Sequence, residues 1–405
     1  MQKKLMAVAV AGALAVPAVA MAQSTVQVGG NLYLEHAFTS QGRTAAGTVD
    51  KSNADLFQTG GSEIYFQGQE KLGGGMSAWF KCTSTADVRG ASQDGFCGRN
   101  SAVGLKGSFG NVFLGVWDTP FKRARVGNVG GRDTGVFGTA FLLWGSSTTV
   151  DDGGSSGVFS RRQRNSINLD SPNFGGFQFM ASTTTTANST GLTATAAEAK
   201  PRVWSLAGTY KQGPLQLAAA YETHKKFYNN GAAAVPAGVN AAGTAFTAPV
   251  AAVPATWAGE EHGYNVNAAY KFGNGLKIGG MYAQMNADTA PGATAKVKTY
   301  HVGAEWKLSG PHNVHFGYTV ADDMKGTVGA TMGTRPAVTA LNNTGAKMWQ
   351  LRYLHDFSKR TQGTIGYVHL KNDTAASYDL GGLAYSAAQT GAKQSAVALS
   401  INHKF

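Results

Sequence analysis

Val397-Ala-Leu-Ser-Ile-Asn-His-Lys-Phe405 ends the chain on a two-residue period. Val397, Leu399, Ile401 and Phe405 share one side; Ala398, Ser400, Asn402 and Lys404 share the other. Successive side chains of a strand point to opposite faces, so this segment reads as a strand with one apolar and one polar face. The first segment repeats the pattern. Val26, Val28, Leu32 and Leu34 lie on one face, and Gln27, Asn31, Tyr33 and Glu35 on the other. Segments of about ten residues with this alternation recur along the chain, as expected of strands set between lipid and a polar lumen.

The breaks between segments come in two kinds. Short ones carry turn chemistry, such as Lys71-Leu-Gly-Gly-Gly75, Gly107-Ser-Phe-Gly-Asn111, Lys211-Gln-Gly-Pro214 and Leu308-Ser-Gly-Pro311. Glycine supplies positive φ there and proline a fixed one. Long breaks fall near 39–60, 87–95, 119–160, 187–199, 227–260, 288–296, 322–345 and 373–392. Seven short and eight long breaks alternate, which predicts sixteen strands with both termini at the short-turn end. In lipid every backbone N–H and C=O needs a partner within the protein, so such strands survive only as a closed barrel. The expected fold is an all-β, transmembrane antiparallel barrel of about sixteen strands, wide enough for an aqueous channel. A soluble β-repeat is the rival, but would rarely keep one end short-turned throughout. Tyr210, Tyr221, Tyr264, Tyr270, Tyr300, Trp306, Tyr318 and Tyr353 fall near segment ends, as interfacial girdles do.

One break stands apart. Residues 118–160 run for about forty residues without alternation, and a connection of that length in a compact domain is usually functional. It carries Lys122, Arg123, Arg125 and Arg132, with Asp118 and Asp133, and an apolar run of Val136, Phe137 and Phe141-Leu-Leu-Trp144. The expectation is a loop folded into the barrel to narrow it. Its apolar run would pack on the wall or at a subunit contact as a short helix.

Composition agrees. Charged residues make up 14% of the chain and glycines number 54, against about 25% charged in soluble domains. The formal charge of +12 suits anionic solutes or acidic lipid. Without a basic run of five, and with aromatics only sparsely interleaved, the sequence gives nucleic-acid binding no support. Met1-Gln-Lys-Lys4, the apolar stretch 5–19 and Ala20-Met-Ala22 read as a secretory leader, residues 1–22, with a single barrel domain over 23–405. A membrane anchor is the alternative, but the apolar run is short of the roughly 20 residues a spanning helix needs. The Ala/Gly/Pro-rich stretch 227–260 reads as a long outer loop, because Pro236, Pro249 and Pro254 interrupt it.

The residues resemble the general porins of Gram-negative bacteria, the trimeric sixteen-stranded kind of β-proteobacteria and Neisseria. The carriers are Glu70-Lys-Leu-Gly-Gly-Gly75, Phe109-Gly-Asn-Val-Phe-Leu-Gly115, Thr119-Pro120, Arg164-Asn-Ser-Ile167 with Asp170-Ser-Pro-Asn-Phe174, Phe357-Ser-Lys-Arg-Thr361 and Ile401-Asn-His-Lys-Phe405. The resemblance implies an outer-membrane homotrimer, in contact with lipid and lipopolysaccharide, that passes small hydrophilic solutes by diffusion. It also implies an inward-folded third loop, and a C-terminal aromatic, here Phe405, read by the barrel-insertion machinery. Glu63 and Val116 stand where the family commonly has arginines, and the third loop lacks the usual acidic motif, so the family's charge layout is not carried over.

Strand parity then nominates pore residues. Ile167 and Leu169 face lipid, which predicts Arg162, Arg164, Ser166 and Asn168 in the lumen as a basic ladder. Lys81 and Glu63 are expected inward on the same argument. With Asp118, Lys122, Arg123, Arg125, Arg132 and Asp133 they would make a mixed, net basic rim, and rings of basic side chains favour anions. Any one arginine could instead brace the loop. Cys82 and Cys97 lie on one face of neighbouring strands and are expected to form a disulfide, since a leader implies an oxidising compartment. The nine histidines are scattered, and neither they nor any other motif suggests a metal or cofactor. No P-loop or C-x-x-C occurs, and no nucleophile and base emerge for an enzyme. The expected function is a weakly anion-preferring diffusion channel. The alternatives are a channel specific for a class of small anions or organic acids, and a barrel enzyme or adhesin.

Overall fold

The computed structural model describes residues 25–42, 52–90, 95–132, 134–145, 158–185, 202–229, 238–239, 246–247, 258–290, 292–333, 335–380 and 390–405. The expected leader at 1–22, Asp133 and most of 227–260 lie outside them. The chain forms a closed antiparallel sheet, with a separate two-residue ladder of Gly238–Val239 against Phe246–Thr247. Its strands are β1 (Thr25–Gln41), β2 (Ser52–Gln58, resumed as Glu63–Gly73), β3 (Met76–Thr85), β4 (Ser101–Gly107), β5 (Gly110–Asp118), β6 (Arg162–Asp170), β7 (Phe177–Thr184) and β8 (Arg202–Gln212). Then come β9 (Leu215–Asn229), β10 (Ala258–Lys271), β11 (Leu276–Ala290), β12 (Ala293–Lys307), β13 (His312–Ala321), β14 (Ala346–Asp356), β15 (Thr361–Asn372) and β16 (Lys393–Lys404). Each strand pairs with its sequence neighbours, so sixteen are found where sixteen were expected. No described helix is long and apolar enough to cross a membrane, and the chain crosses with strands.

Closure occurs on β1. Its residues Asn31 to Gln41 pair with Lys404 back to Gln394 of β16. On its other edge β1 meets both pieces of β2, Thr25 to Asn31 against Gln69 to Glu63 and Glu35 to Gln41 against Gln58 to Ser52. The break in β2 is patched by Ser62, whose Oγ accepts from the Tyr33 N–H (2.9 Å) and donates to the Tyr33 carbonyl (2.8 Å). The last residue completes the seam: Phe405 and Gly30 exchange backbone hydrogen bonds of 3.1 and 3.2 Å. No sheet edge is left along this seam to meet lipid.

The two faces differ as the alternation requires. Outside, Val397, Leu399, Ile401, Leu114, Ile167, Phe179 and Val266 are exposed. Inside, Ala396, Ala398, Glu35, Asn168, Ser205, Asn265 and Thr299 are buried. So broad an apolar exterior belongs against lipid, because soluble monomers rarely expose such patches. One expected long break is not there. The strands either side of 288–296 run on to Ala290 and from Ala293, paired nearly to the tip. The polar and small residues that suggested a loop instead extend a hairpin beyond the barrel, with Gly292 at φ +73° turning it.

Cys82 and Cys97 are joined, their Cα atoms 4.7 Å apart. The bond ties Cys82, near the end of β3, to Cys97 in the connection that leads into β4. By chain entropy, closing a loop of this length is worth about 3 kcal/mol.

Candidate functional site: the loop folded into the barrel

After β5 the chain turns inward. Pro120 opens a one-turn helix, α1 (Pro120–Arg123), whose N-cap is Thr119. Proline suits this position because its missing N–H would be unsatisfied there anyway. The loop then follows the inner wall, tied by its backbone to one strand after another. The Phe121 N–H donates to Ser205 Oγ on β8 (3.0 Å). On β10, Asn267 receives the Gly127 N–H (2.9 Å) and donates to the Ala124 carbonyl (2.8 Å). His301 Nε2 on β12 donates to the Val129 carbonyl (2.8 Å), and Glu305 accepts the Gly130 N–H (3.1 Å). On β14, Arg352 donates to the Gly130 and Gly131 carbonyls (2.9 and 3.2 Å), and Gln350 to that of Phe137 (3.0 Å). On β1, Glu35 accepts the Val136 N–H (2.9 Å). A buried, irregular backbone must have its polar groups paired, and these wall side chains do that.

Glycines allow so close an approach. A Cβ on Gly303 would overlap the Val129 carbonyl, and one on Gly127 would overlap that of Gly280. Gly130 combines a similar close approach, to Phe316, with φ +72°, which L side chains adopt only at a cost.

The apolar run forms a short helix, α2 (Ala140–Trp144). It packs on the inner wall. Leu143, Trp144, Phe121 and Phe159 cluster with Met281, Met285 and Val297, while Val136, Phe137 and Leu142 cluster with Met348, Val368, Leu370 and Leu380. Arg335, from the connection after β13, is buried over the helix end and donates to the Leu142 and Leu143 carbonyls (3.2 and 3.3 Å). Cations stabilise the carbonyl end of a helix. The returning chain is held at Phe159, which stacks on His224 (4.7 Å). His224 bridges the buried carboxylates of Glu222 (2.7 Å) and Glu261 (2.5 Å).

The nominated charged residues divide into two groups. Most are paired. Asp118 meets Lys122 (3.1 Å) and Arg162 (3.5 Å), and Arg162 also donates to Asn100 (3.0 Å). Arg123 makes a two-pronged contact with Asp170 (2.8 and 2.6 Å). Glu63 holds Arg99 (3.1 Å). The second group lies against aromatic rings: Arg132 over Tyr33 (4.0 Å), Arg125 toward Trp144 (6.0 Å) and Lys81 over Tyr65 (4.6 Å). Arg125 also acts on the Asp118 carboxylate, whereas the rings under Arg132 and Lys81 attract a cation without a net charge to cancel it.

The arginine ladder does not form. Ser166 and Asn168 face inward as expected, but the register between β5 and β6 slips between Gly115 and Trp117. The extra residue sits beside Asn165, at φ +52°. A bulge ends the parity rule at that point. Arg162 folds onto Asp118 and is buried, while Arg164 is exposed. Sequence reasoning also missed the anchors. Asn265, Asn267, His301, Gln350 and Arg352 carry only one signal, inward parity opposite exposed Tyr300, Val266, Leu351 and Tyr353. Among the described residues, no group of His, Cys, Asp or Glu is placed to hold a metal ion.

A barrel of this strand number, closed by its own C-terminus and narrowed by the loop after its fifth strand, matches a known family, whose description as Gram-negative porin fits residues 7–375. The chain belongs to the Gram-negative porin family. The porin is 27% identical to outer membrane porin protein 32 of Delftia acidovorans, over the full length of both chains. It is 33% identical to major outer membrane protein P.IB of Neisseria gonorrhoeae over 184 residues, 44% of this chain and 46% of that one. Its fold superposes on that of the anion-selective porin from Comamonas acidovorans with a TM-score of 0.69 at 23% identity, covering 95% of this chain and all of that one. The porin resides in the Gram-negative outer membrane and forms a channel there. Its family and fold are those of channels rather than enzymes.

Proposed function

We propose that the porin passes small hydrophilic solutes by passive diffusion and prefers anions. The observation that carries this is the split among its charges. Lys122, Arg123, Arg162 and Arg99 sit on carboxylates and Arg125 lies within reach of the Asp118 charge, whereas Arg132 and Lys81 lie on aromatic faces and Arg352 on backbone carbonyls. Field lines concentrate in a narrow passage with low-dielectric walls, so a few uncancelled cations bias ion entry. The relative from Comamonas acidovorans is itself described as anion-selective, which supports the reading. Asp133 and Arg164 belong to the same rim in this proposal. Reversal potential in a potassium chloride gradient across a planar bilayer is the test. Wild type should show chloride preference, and Arg132→Ser with Lys81→Ser should move the permeability ratio toward one. Cation preference in the wild type refutes it.

The proposal extends to assembly. Residues 1–22 are removed on export, the porin is a homotrimer among outer-membrane lipid and lipopolysaccharide, and Phe405 is the mark read by the insertion machinery. Cross-linking in intact outer membranes should trap trimers; monomers alone would overturn that part. No resident cofactor or metal is invoked.

A further inference from the structure

The loop takes its backbone anchors from β8, β10, β12, β14 and β1, which leaves the inner face of β3–β5 toward the lumen. Parity fixes which residues stand on that face. Phe80, Val103, Leu105 and Leu114 are exposed on the outside. Trp79 and Lys81 of β3, Ala102 and Gly104 of β4, and Phe113, Gly115 and Trp117 of β5 therefore face in. Three of these are aromatic and touch one another. Trp79 and Phe113 lie 5.4 Å apart, Trp79 and Trp117 5.9 Å, and Phe113 and Trp117 5.0 Å between ring centres.

The intervening strand makes room for them. A Cβ on Gly104 would strike both Trp79 and Phe113, so these rings close over β4. Phe113 is buried beneath the layer, while Trp79 and Trp117 remain partly exposed. Trp79 spends its one polar group on Asn111, donating from Nε1 at 2.7 Å. Its ring surface is what it can still offer. Lys81 stands two residues along the same face, its Nζ over Tyr65 at 4.6 Å. Among the described residues, no carboxylate forms an ion pair with it. Glu63 on β2 is committed to Arg99, and Asp118 at the end of β5 to Lys122 and Arg162.

Passing hydrated chloride requires no indole rings on the wall, and apolar surface left toward water is unfavourable. Two partly exposed indoles beside an ammonium are complementary to a small molecule with a flat apolar body and one negative charge. We infer that the β3–β5 face is a weak subsite for aromatic carboxylates, with the ring stacked on Trp79 and Trp117 and the carboxylate on Lys81. This deepens the proposed anion channel and rests on it. The side open to the lumen keeps the site weak, as conduction requires, because a permeant must leave as readily as it enters.

The experiment compares benzoate, acetate and benzyl alcohol as additives to a single channel carrying chloride in a planar bilayer. Benzoate should reduce chloride current saturably, while acetate, with the same charge, and benzyl alcohol, with the same ring, should reduce it far less. Trp117→Leu should raise the half-blocking benzoate concentration about three- to tenfold, Trp117→Phe should restore most of the effect, and Lys81→Met should remove it. Equal block by benzoate and acetate overturns the stacking role, and equal block by benzoate and benzyl alcohol overturns the anionic class. Chloride current and its reversal potential, read in the same bilayer, report the channel and its anion preference separately. A selective channel blind to benzoate therefore sinks this subsite alone.

Discussion

Gly303 shows how much one missing side chain decides. It lies in β12, where alternation allows a residue of almost any size, and faces the Val129 carbonyl of the loop. Gly303→Ala would drive a methyl group into that oxygen, and the loop would have to lift from its His301 and Glu305 anchors. The expected cost is about 1–3 kcal/mol, the usual range for overpacking. It should appear as a lower unfolding temperature together with an altered single-channel conductance. Unchanged conductance would mean that the loop does not set the width. Arg132 is the counterpart in charge. Its guanidinium lies on Tyr33, and its Nε has no hydrogen-bond partner, so it is held in place while its charge stays available.

At the scale of elements, the connection between β3 and β4 offers a pH test away from the membrane-spanning strands. Arg89 donates to Asp87 through its backbone N–H (2.9 Å) and its side chain (3.0 and 2.7 Å), and to the Phe57 carbonyl (3.0 Å). The side-chain hydrogen bonds from Arg89 hold the Asp87 carboxyl below its usual value, against a burial effect of opposite sign. A depressed carboxyl pKa means the contact is stabilising above the ordinary carboxylate range and is lost as pH falls through the lowered value. Amide exchange at Arg89 should stay protected at about pH 5, and protection should fail only in stronger acid. Asp87→Ala should abolish it throughout. Protection lost already near pH 5 would count against the pairing. The disulfide between Cys82 and Cys97 bounds this same connection, so the two restraints act on one element.

For the whole molecule, closure depends on the final residue. Phe405 bonds to Gly30 in both directions, and a Cβ on Gly30 would strike the Phe405 ring. Deleting Phe405 should leave Gly30 of β1 short of two backbone partners on the seam side, in a setting where each costs several kcal/mol. Folded barrel, followed as the heat-modifiable band in outer-membrane fractions, should fall sharply. Full yield of the truncated barrel would show that the seam closes without it. Gly30→Ala separates the seam from recognition, because it disturbs the contact and keeps the terminal aromatic.

Alternation alone determined the sixteen strands, which face meets lipid, and that residues 118–160 are an insertion too long for a turn. It could do so because a strand's side-chain period is local and lipid allows no unpaired edge. The same rule failed where spacing ceased to be regular. The bulge at Asn165 broke the expected Arg162 and Arg164 ladder, and polar residues near 288–296 extended a hairpin instead of opening a loop. Contacts between residues far apart in sequence were not written in any local pattern. Val129 meets His301 and Gly130 meets Arg352 across more than 170 positions. Only the closed barrel sorts the charges into those cancelled by carboxylates and those resting on rings, because that depends on which wall position each side chain reaches once the loop has folded inward.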